Sequence, residues 1–351
     1  MVMLDRLNHI CRVLGGPAST LSRAYPEEDA VPLVESHSFD YWLGAEQSRY
    51  FGAGYRDVTY TDLAWNDGQA TAGVLYPEGW SLDENDRPRQ AHLSSVDAVV
   101  LALMAAQARC LDPSSLAAAC IVGVELRAGP EPWTKLDAVP IELLAAQRDA
   151  ATGVIELSVR AGNIGARIQL SGALLREHDV RPTIQGRPRH DVYPDSFASI
   201  RGRTRILEWD LPGRTVTAEH CFDLVAPVRD LFTGIQANAW PSATVIDYLV
   251  TMGQMTQALV CAVKGIQRTD MGNLWMRTMS IKANGFPSEL PTMLTTRTRL
   301  VRERALNRDG VIIHDLLSAS SSSDGVEASA RLAFFETRNP IGSTVQVGRA
   351  A

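Results

Sequence analysis

A chain of 351 residues is long enough for two domains of ordinary size, each with its own apolar core. A formal charge of −6 excludes a general nucleic-acid binder, which needs a basic face to displace counterions. The five cysteines, Cys11, Cys110, Cys120, Cys221 and Cys261, are odd in number and widely spaced. That argues against a disulfide framework or a zinc site and for free thiols acting as small hydrophobes.

The N-terminal segment MVMLDRLNHICRVLGG carries charges early and no apolar stretch with a cleavage site, so the expected location is cytoplasmic. Asp57–Ala64 and Gln69–Tyr76 alternate in polarity across Asn66-Asp67-Gly68, which predicts a pair of strands. After a Pro/Asp/Arg-rich loop at Trp80–Gln90, Leu93–Leu111 runs without Gly or Pro and predicts a long helix capped by Ser94 or Ser95. Strands are predicted at Ala118–Arg127, Gly153–Ala161 and Ala166–Leu174, with turns at Gly129-Pro130 and Gly162-Asn163. Arg181–Arg189, RPTIQGRPR, reads as a linker from its turn residues.

The same order then recurs. Strands at Ile200–Leu211 and Arg214–Leu224 flank Pro212-Gly213, a helix runs from about Ser242 to Val263, and strands follow at Leu274–Ala283, Thr292–Val301, Val311–Ala319 and Val326–Thr337. Asp247, Gln254 and Gln257 interrupt the apolar run of this second helix. An ionised carboxylate at a bilayer centre costs roughly 3 kcal/mol, so the run reads as a buried core helix and no membrane span is expected. A helix apolar on nearly all sides must be surrounded, and a curled antiparallel sheet does this. The expected fold is therefore α+β, resembling a double hot-dog: two antiparallel sheets, each wrapped around a long central helix. The expected domains are an N-terminal hot-dog over 1–178, a linker over 179–198, a C-terminal hot-dog over 199–340 and a tail over 341–351.

Candidate chemistry gathers at the helix starts. Asp247 with Thr251 and Gln254 forms a polar stripe that needs partners or a ligand, although a first-turn carboxylate also serves the helix dipole. His92, just before the first helix with Asp97 beyond it, is placed as a general acid or base; a surface or capping histidine is the bland alternative. Asp247 and His92 are expected to act from opposite halves on one substrate, with Asp97 and Gln254 as orienting groups. Trp240, before Pro241, either lines a pocket or staples the helix start. There is no G-x-S-x-G elbow, no P-loop, no dinucleotide fingerprint and no close metal-ligand spacing, so no metal or cofactor is expected.

Asp40–Tyr55, DYWLGAEQSRYFGAGY, with Ala91–Ala102, AHLSSVDAVVLA, and Asn273–Arg277, NLWMR, resembles the avirulence D protein family of plant-associated bacteria and actinomycetes. The L-G-x-x-x-x-R-[YF]-F-G-x-G-Y pattern at Leu43–Tyr55 is the most specific part, and it brings Arg49 and Tyr50 forward as substrate-binding residues. The resemblance implies synthesis of syringolide- or butenolide-like molecules from a β-ketoacyl thioester, on CoA or a carrier protein, and a ketopentose such as xylulose or its phosphate. The logic is similar to that of the A-factor synthase family. Two rivals remain: a hot-dog dehydratase acting on β-hydroxyacyl thioesters, whose His-x-x-x-Gly-x-x-x-x-Pro motif is missing here, and a non-catalytic acyl-signal binder. A homodimer is left open as an assembly state.

Overall fold

The computed structural model describes residues 39–66, 68–83, 86–176, 191–225, 232–269, 271, 274–284, 287–308 and 311–335. The N-terminal segment with Cys11, Asp67 of the predicted turn, the linker from 179 to 190, Asn273 and the tail lie outside the described residues.

After a short helix α1 (Phe39–Leu43), the first sheet begins with very short strands. The predicted run at Asp57–Ala64 contracts to β1 (Thr59–Tyr60), which pairs with β4 (Val74–Leu75) apart from the main sheet. The hairpin is made instead by β2 (Ala64–Asn66) and β3 (Gln69–Ala72). Gly68 holds the turn at φ +83°, a conformation that costs a glycine nothing. Helix α2 (Ser95–Arg109) starts at the predicted cap: Ser94 Oγ accepts from the Asp97 N–H while the Asp97 carboxylate accepts from the Ser94 N–H. Every residue from Val96 to Ala106 is buried, and each fully buried Leu or Val stabilises by about 1.5–3 kcal/mol. The helix packs on β6 (Val139–Arg148), β7 (Ile155–Ala161) and β8 (Ile164–Ser171). Strand β5 (Cys120–Arg127) precedes them.

Strand β6 is absent from the sequence-based expectation. Its segment VPIELLAAQR mixes a proline with helix-forming Leu, Ala and Gln, and pairing with both β3 and β7 overrides that local preference.

In the second part a one-turn helix α3 (Val192–Asp195) leads into β9 (Ile200–Asp210) and β10 (Thr215–Leu224). Helix α4 (Val245–Lys264) follows, capped by Thr244 with Asp247 in a second capping box. It stops at Gly265, whose φ of +63° is the left-handed helix-terminal position. Strands β11 (Trp275–Ala283), β12 (Thr292–Arg308), β13 (Val311–Ser322) and β14 (Val326–Phe335) complete the described residues.

Twelve strands form one antiparallel sheet in the order β2-β3-β6-β7-β8-β5-β11-β14-β13-β12-β10-β9. From each outer edge to the seam, the two halves present their strands in the same sequence of roles. The seam is the β5–β11 pairing, with Val124 opposite Ile281 and Leu126 opposite Met279. Among the described residues no helix is long and apolar enough to cross a membrane.

Candidate functional site: a cavity at the seam

A cavity of about 240 Å³ opens where the two halves meet. The first half contributes the Arg49–Phe51 turn, Trp80, Arg89, His92, Trp133 and the start of α2 at Ser94 and Ser95. The second half contributes the middle of α4, Trp275 to Ile281 of β11, and the inner faces of β13 and β14. The lining mixes apolar side chains, Trp133, Leu249, Met252, Met276 and Met279 among them, with the hydroxyl-bearing Thr256, Ser318 and Ser320.

His92 stands on this cavity, its ring between those of Trp80 and Trp275 at centroid distances of 5.8 and 5.5 Å. Its Nδ1 lies 3.2 Å from the Gln90 carbonyl oxygen. A carbonyl only accepts, so the contact places the proton of the neutral ring on Nδ1 and leaves Nε2 as a base.

The two helix-start carboxylates are placed differently from expectation. Asp97 is fully buried and accepts from the Ser94 N–H at 2.7 Å, the Tyr60 hydroxyl at 2.7 Å and the Tyr76 hydroxyl. Asp247 is likewise buried, and its Oδ2 accepts from Thr244 N–H at 2.7 Å and Thr244 Oγ1 at 2.8 Å. Burial raises the Asp247 pKa from the ordinary carboxylate value, against the hydrogen bonds from Thr244 and the charge of Arg56, which lower it. Neither carboxylate lines the cavity. The expectation that His92 and Asp247 converge is therefore corrected. Seven residues put Asp247 and Gln254 on the same helix face, but about 10 Å apart along the axis, and the cavity reaches α4 only from Leu249 onward.

Thr251, buried one turn after Asp247, also misses the lining. The cavity face of α4 is instead Leu249, Met252-Gly253 and Thr256-Gln257 with Gln254. Gln254 is held at both ends of its amide: Nε2 donates to the Phe51 carbonyl at 2.7 Å, and Oε1 accepts from Arg49 Nη1 at 2.8 Å. These contacts tie the Leu43–Tyr55 motif to a helix more than 200 residues away. Gly253 lets Phe51 approach, since a Cβ there would meet the ring at 2.9 Å. Tyr50 shares a 2.6 Å hydrogen bond with Ser94 Oγ; burial first, then the Asp97 charge, pushes its pKa well above the usual tyrosine value. Trp240 packs on Phe232 with centroids 4.5 Å apart and is not among the residues lining the cavity.

Sequence reasoning missed Arg89, Arg268, Trp133 and the Ser318/Ser320 pair. Arg268 follows α4, is 7% exposed, and donates from Nε to the Leu43 carbonyl (2.8 Å) and from Nη2 to the Ser48 and Leu82 carbonyls (3.2 and 3.1 Å). Arg89 Nε donates to the same Leu82 oxygen at 3.2 Å. Desolvation first, and then the neighbouring Arg89 and Arg49 charges, pushes the Arg268 pKa down to about 10.

Fold and site together define a protein of two α+β halves with the same strand order and one cavity between them, lined by apolar, hydroxyl-bearing and cationic side chains. The model of the family described as "Pseudomonas avirulence D protein (AvrD)" matches residues 34–319, and the chain belongs to that family. No curated protein matches it. Among solved structures, an acyl-CoA thioesterase II, TesB2, from Mycobacterium marinum is similar at 10% identity and TM-score 0.41, covering 83% of this chain and 98% of that one. A conserved protein with a hot dog fold from Alicyclobacillus acidocaldarius is similar at 12% identity and TM-score 0.38, over 80% and 96%. The dehydratase domain from the terminal module of the rifamycin polyketide synthase is similar at 12% and TM-score 0.31, over 70% and 82%.

Proposed function

We propose that this chain is an enzyme that joins a β-ketoacyl thioester to a ketopentose, free or phosphorylated. Acyl transfer followed by aldol-type closure would give a syringolide- or butenolide-like product. The observation that carries the reading is His92, with its Nδ1 turned to the Gln90 carbonyl, on a cavity whose lining offers both apolar side chains for an acyl chain and hydroxyl and guanidinium groups for a sugar. In the same reading, 1–178 and 199–340 are two hot-dog units, supported by the repeated strand order and the enclosure of α2.

His92 Nε2 takes the proton of a sugar hydroxyl as that oxygen attacks the thioester carbonyl. The C–S bond breaks, and the departing sulfur receives the proton from the imidazolium, so the net result is an ester and a free thiol. The backbone N–H groups at the start of α2, beside Ser94 and Ser95 on the cavity, stabilise the oxyanion formed in that step. Nε2 then removes a proton from the carbon between the two carbonyls. That carbon adds to the sugar ketone, whose oxygen takes the proton back. Arg49, Tyr50 and Gln254 supply polar groups to the lining, while Asp97 and Asp247 hold the helix starts in position.

One observation favours a second reading, a non-catalytic acyl-signal binder: both candidate carboxylates are committed to capping boxes. The test is to incubate the purified protein with a β-ketoacyl thioester and ketopentoses, reading product mass and released thiol. The expected result is a product containing sugar plus acyl group with matching thiol release. Saturable binding without thiol release supports the binder instead.

A further inference from the structure

Arg49, Arg89 and Arg268 all line the cavity, and Arg268 is the one whose surroundings are informative. Arg49 is paired with Asp40 at 2.6 Å, and that carboxylate is itself more than half exposed. Arg268 is more than nine-tenths buried, and it donates to three backbone carbonyls, all reached through Nε and Nη2. Among the described residues, Nη1 of Arg268 has no hydrogen-bond partner and the guanidinium has no carboxylate within ion-pair distance. Arg268 and Arg89 donate to one shared oxygen, Leu82 O, so the two guanidinium groups are neighbours. Arg49 is close enough to join them, since its charge acts on Arg268 together with that of Arg89. Planar guanidinium forks match the oxygens of a phosphoryl group.

We propose that Arg268, Arg89 and Arg49 bind a phosphoryl group, and that the sugar co-substrate is consequently a ketose phosphate. This rests on the condensation reading above. Two sources share the chemistry, the phosphate of a sugar and the phosphates of CoA, and the position of the arginines favours the sugar. They line the same compact cavity as His92, whereas the phosphates of CoA lie a pantetheine arm away from the thioester carbon. A pentose phosphate carries its charge within reach of its own reacting hydroxyl.

The experiment uses xylulose 5-phosphate and xylulose as acceptors, each with a β-ketoacyl-CoA and with the phosphate-free β-ketoacyl N-acetylcysteamine thioester. The expected result is a kcat/KM about 100-fold higher for the phosphorylated ketose with either donor, as several charge-assisted hydrogen bonds allow. Arg268→Gln should erase that preference while leaving the KM for the thioester within about threefold, and Arg89→Gln should weaken it by about tenfold. Because Arg268 also ties three loop carbonyls, the wild-type protein supplies an independent arm: inorganic phosphate should inhibit competitively against the ketose phosphate and not against the thioester. Equal use of xylulose, or a preference that survives in a folded Arg268→Gln, overturns the proposal. A loss of discrimination between CoA and N-acetylcysteamine donors in the arginine variants also overturns it, by assigning the phosphate to CoA. Calorimetry separates the two layers. Arginine-dependent binding of xylulose 5-phosphate without product formation contradicts the condensation and sustains the phosphoryl site; product formation from free xylulose at an equal rate does the reverse.

Discussion

The two halves share a strand order and differ in what fills them. Strands β5 to β8 of the first half contribute no buried polar side chain among the described residues, and α2 is sheathed in Leu, Val, Ala and Met. Strands β10, β12 and β13 of the second bury Thr215, His220, Thr296, Thr298, His314, Asp315, Ser318 and Ser320. There Thr298 Oγ1 bonds Ser320 Oγ at 2.8 Å, and Thr256 Oγ1 lies 3.4 Å from Ser318 Oγ. In the first half the buried polar groups lie off these strands, Asp97 at the start of α2 among them. In the second they also sit on the strands, beside an apolar cluster that includes Met255, Leu259 and Leu316. The equivalent glutamines diverge in the same way: Gln107 ties Asp191 and the Ile235 N–H, while Gln257 faces the cavity. A shared topology therefore permits different strand interiors: the first half buries only apolar side chains on β5 to β8, while β10, β12 and β13 of the second also bury polar ones.

Cutting into the first core should cost most. Leu101→Ala removes a fully buried side chain and should destabilise by about 2–5 kcal/mol, with turnover per folded molecule unchanged, as denaturant melts and active-site-normalised rates would show. A loss below about 1 kcal/mol would break the comparison.

The polar interior of the second half should make its stability sensitive to acid. Burial lowers the His220 pKa from 6.5 to about 4; Nδ1 lies 2.9 Å from Thr204 Oγ1, and Nε2 is buried with no partner among the described residues. As pH falls below about 6.5 the unfolded chain takes up a proton that the fold refuses until about pH 4. Unfolding free energy should drop across that window by about 3 kcal/mol at most. The slope should be largely absent in His220→Asn when unfolding is followed as a function of pH.

Smaller effects sharpen the role of the helix starts. Asp97→Asn and Asp247→Asn each weaken a capping box and a buried hydrogen-bond set, and each should cost about 1–3 kcal/mol of stability. Turnover by the folded fraction should stay within a few-fold; a loss of 100-fold in a folded Asp247→Asn would restore that residue to the chemistry. Ser320→Ala, which removes a cavity-lining hydroxyl and the partner of buried Thr298, should cost about 1 kcal/mol of stability and raise the KM for the sugar.

Much of this architecture is legible in the residues. Ser94-x-x-Asp97 and Thr244-x-x-Asp247 mark both helix starts, and Gly265 marks one end, because caps and left-handed positions are local requirements. The same S/T-x-x-D signal explains why both aspartates serve the helices: a carboxylate three residues after the cap folds back onto the cap N–H. Strand β6 is not legible, since its residues prefer a helix until β3 and β7 supply partners. The cavity is half legible. His92, Arg49, Tyr50 and Gln254 stand in or beside recognisable patterns, whereas Arg268, Ser318 and Ser320 lie in ordinary loop and strand sequence. Only the seam between the halves gives them a shared cavity.

The most direct test of the central claim is single-turnover consumption of a β-ketoacyl thioester with a ketopentose, comparing the wild-type protein with a folded His92→Ala. The expected result is stoichiometric thiol release by the wild type and a rate lower by roughly 10²- to 10⁴-fold in the variant, with thioester affinity nearly unchanged. Turnover within a few-fold of the wild type would show that His92 is not the base and contradict the reading of the cavity as an active site built around it.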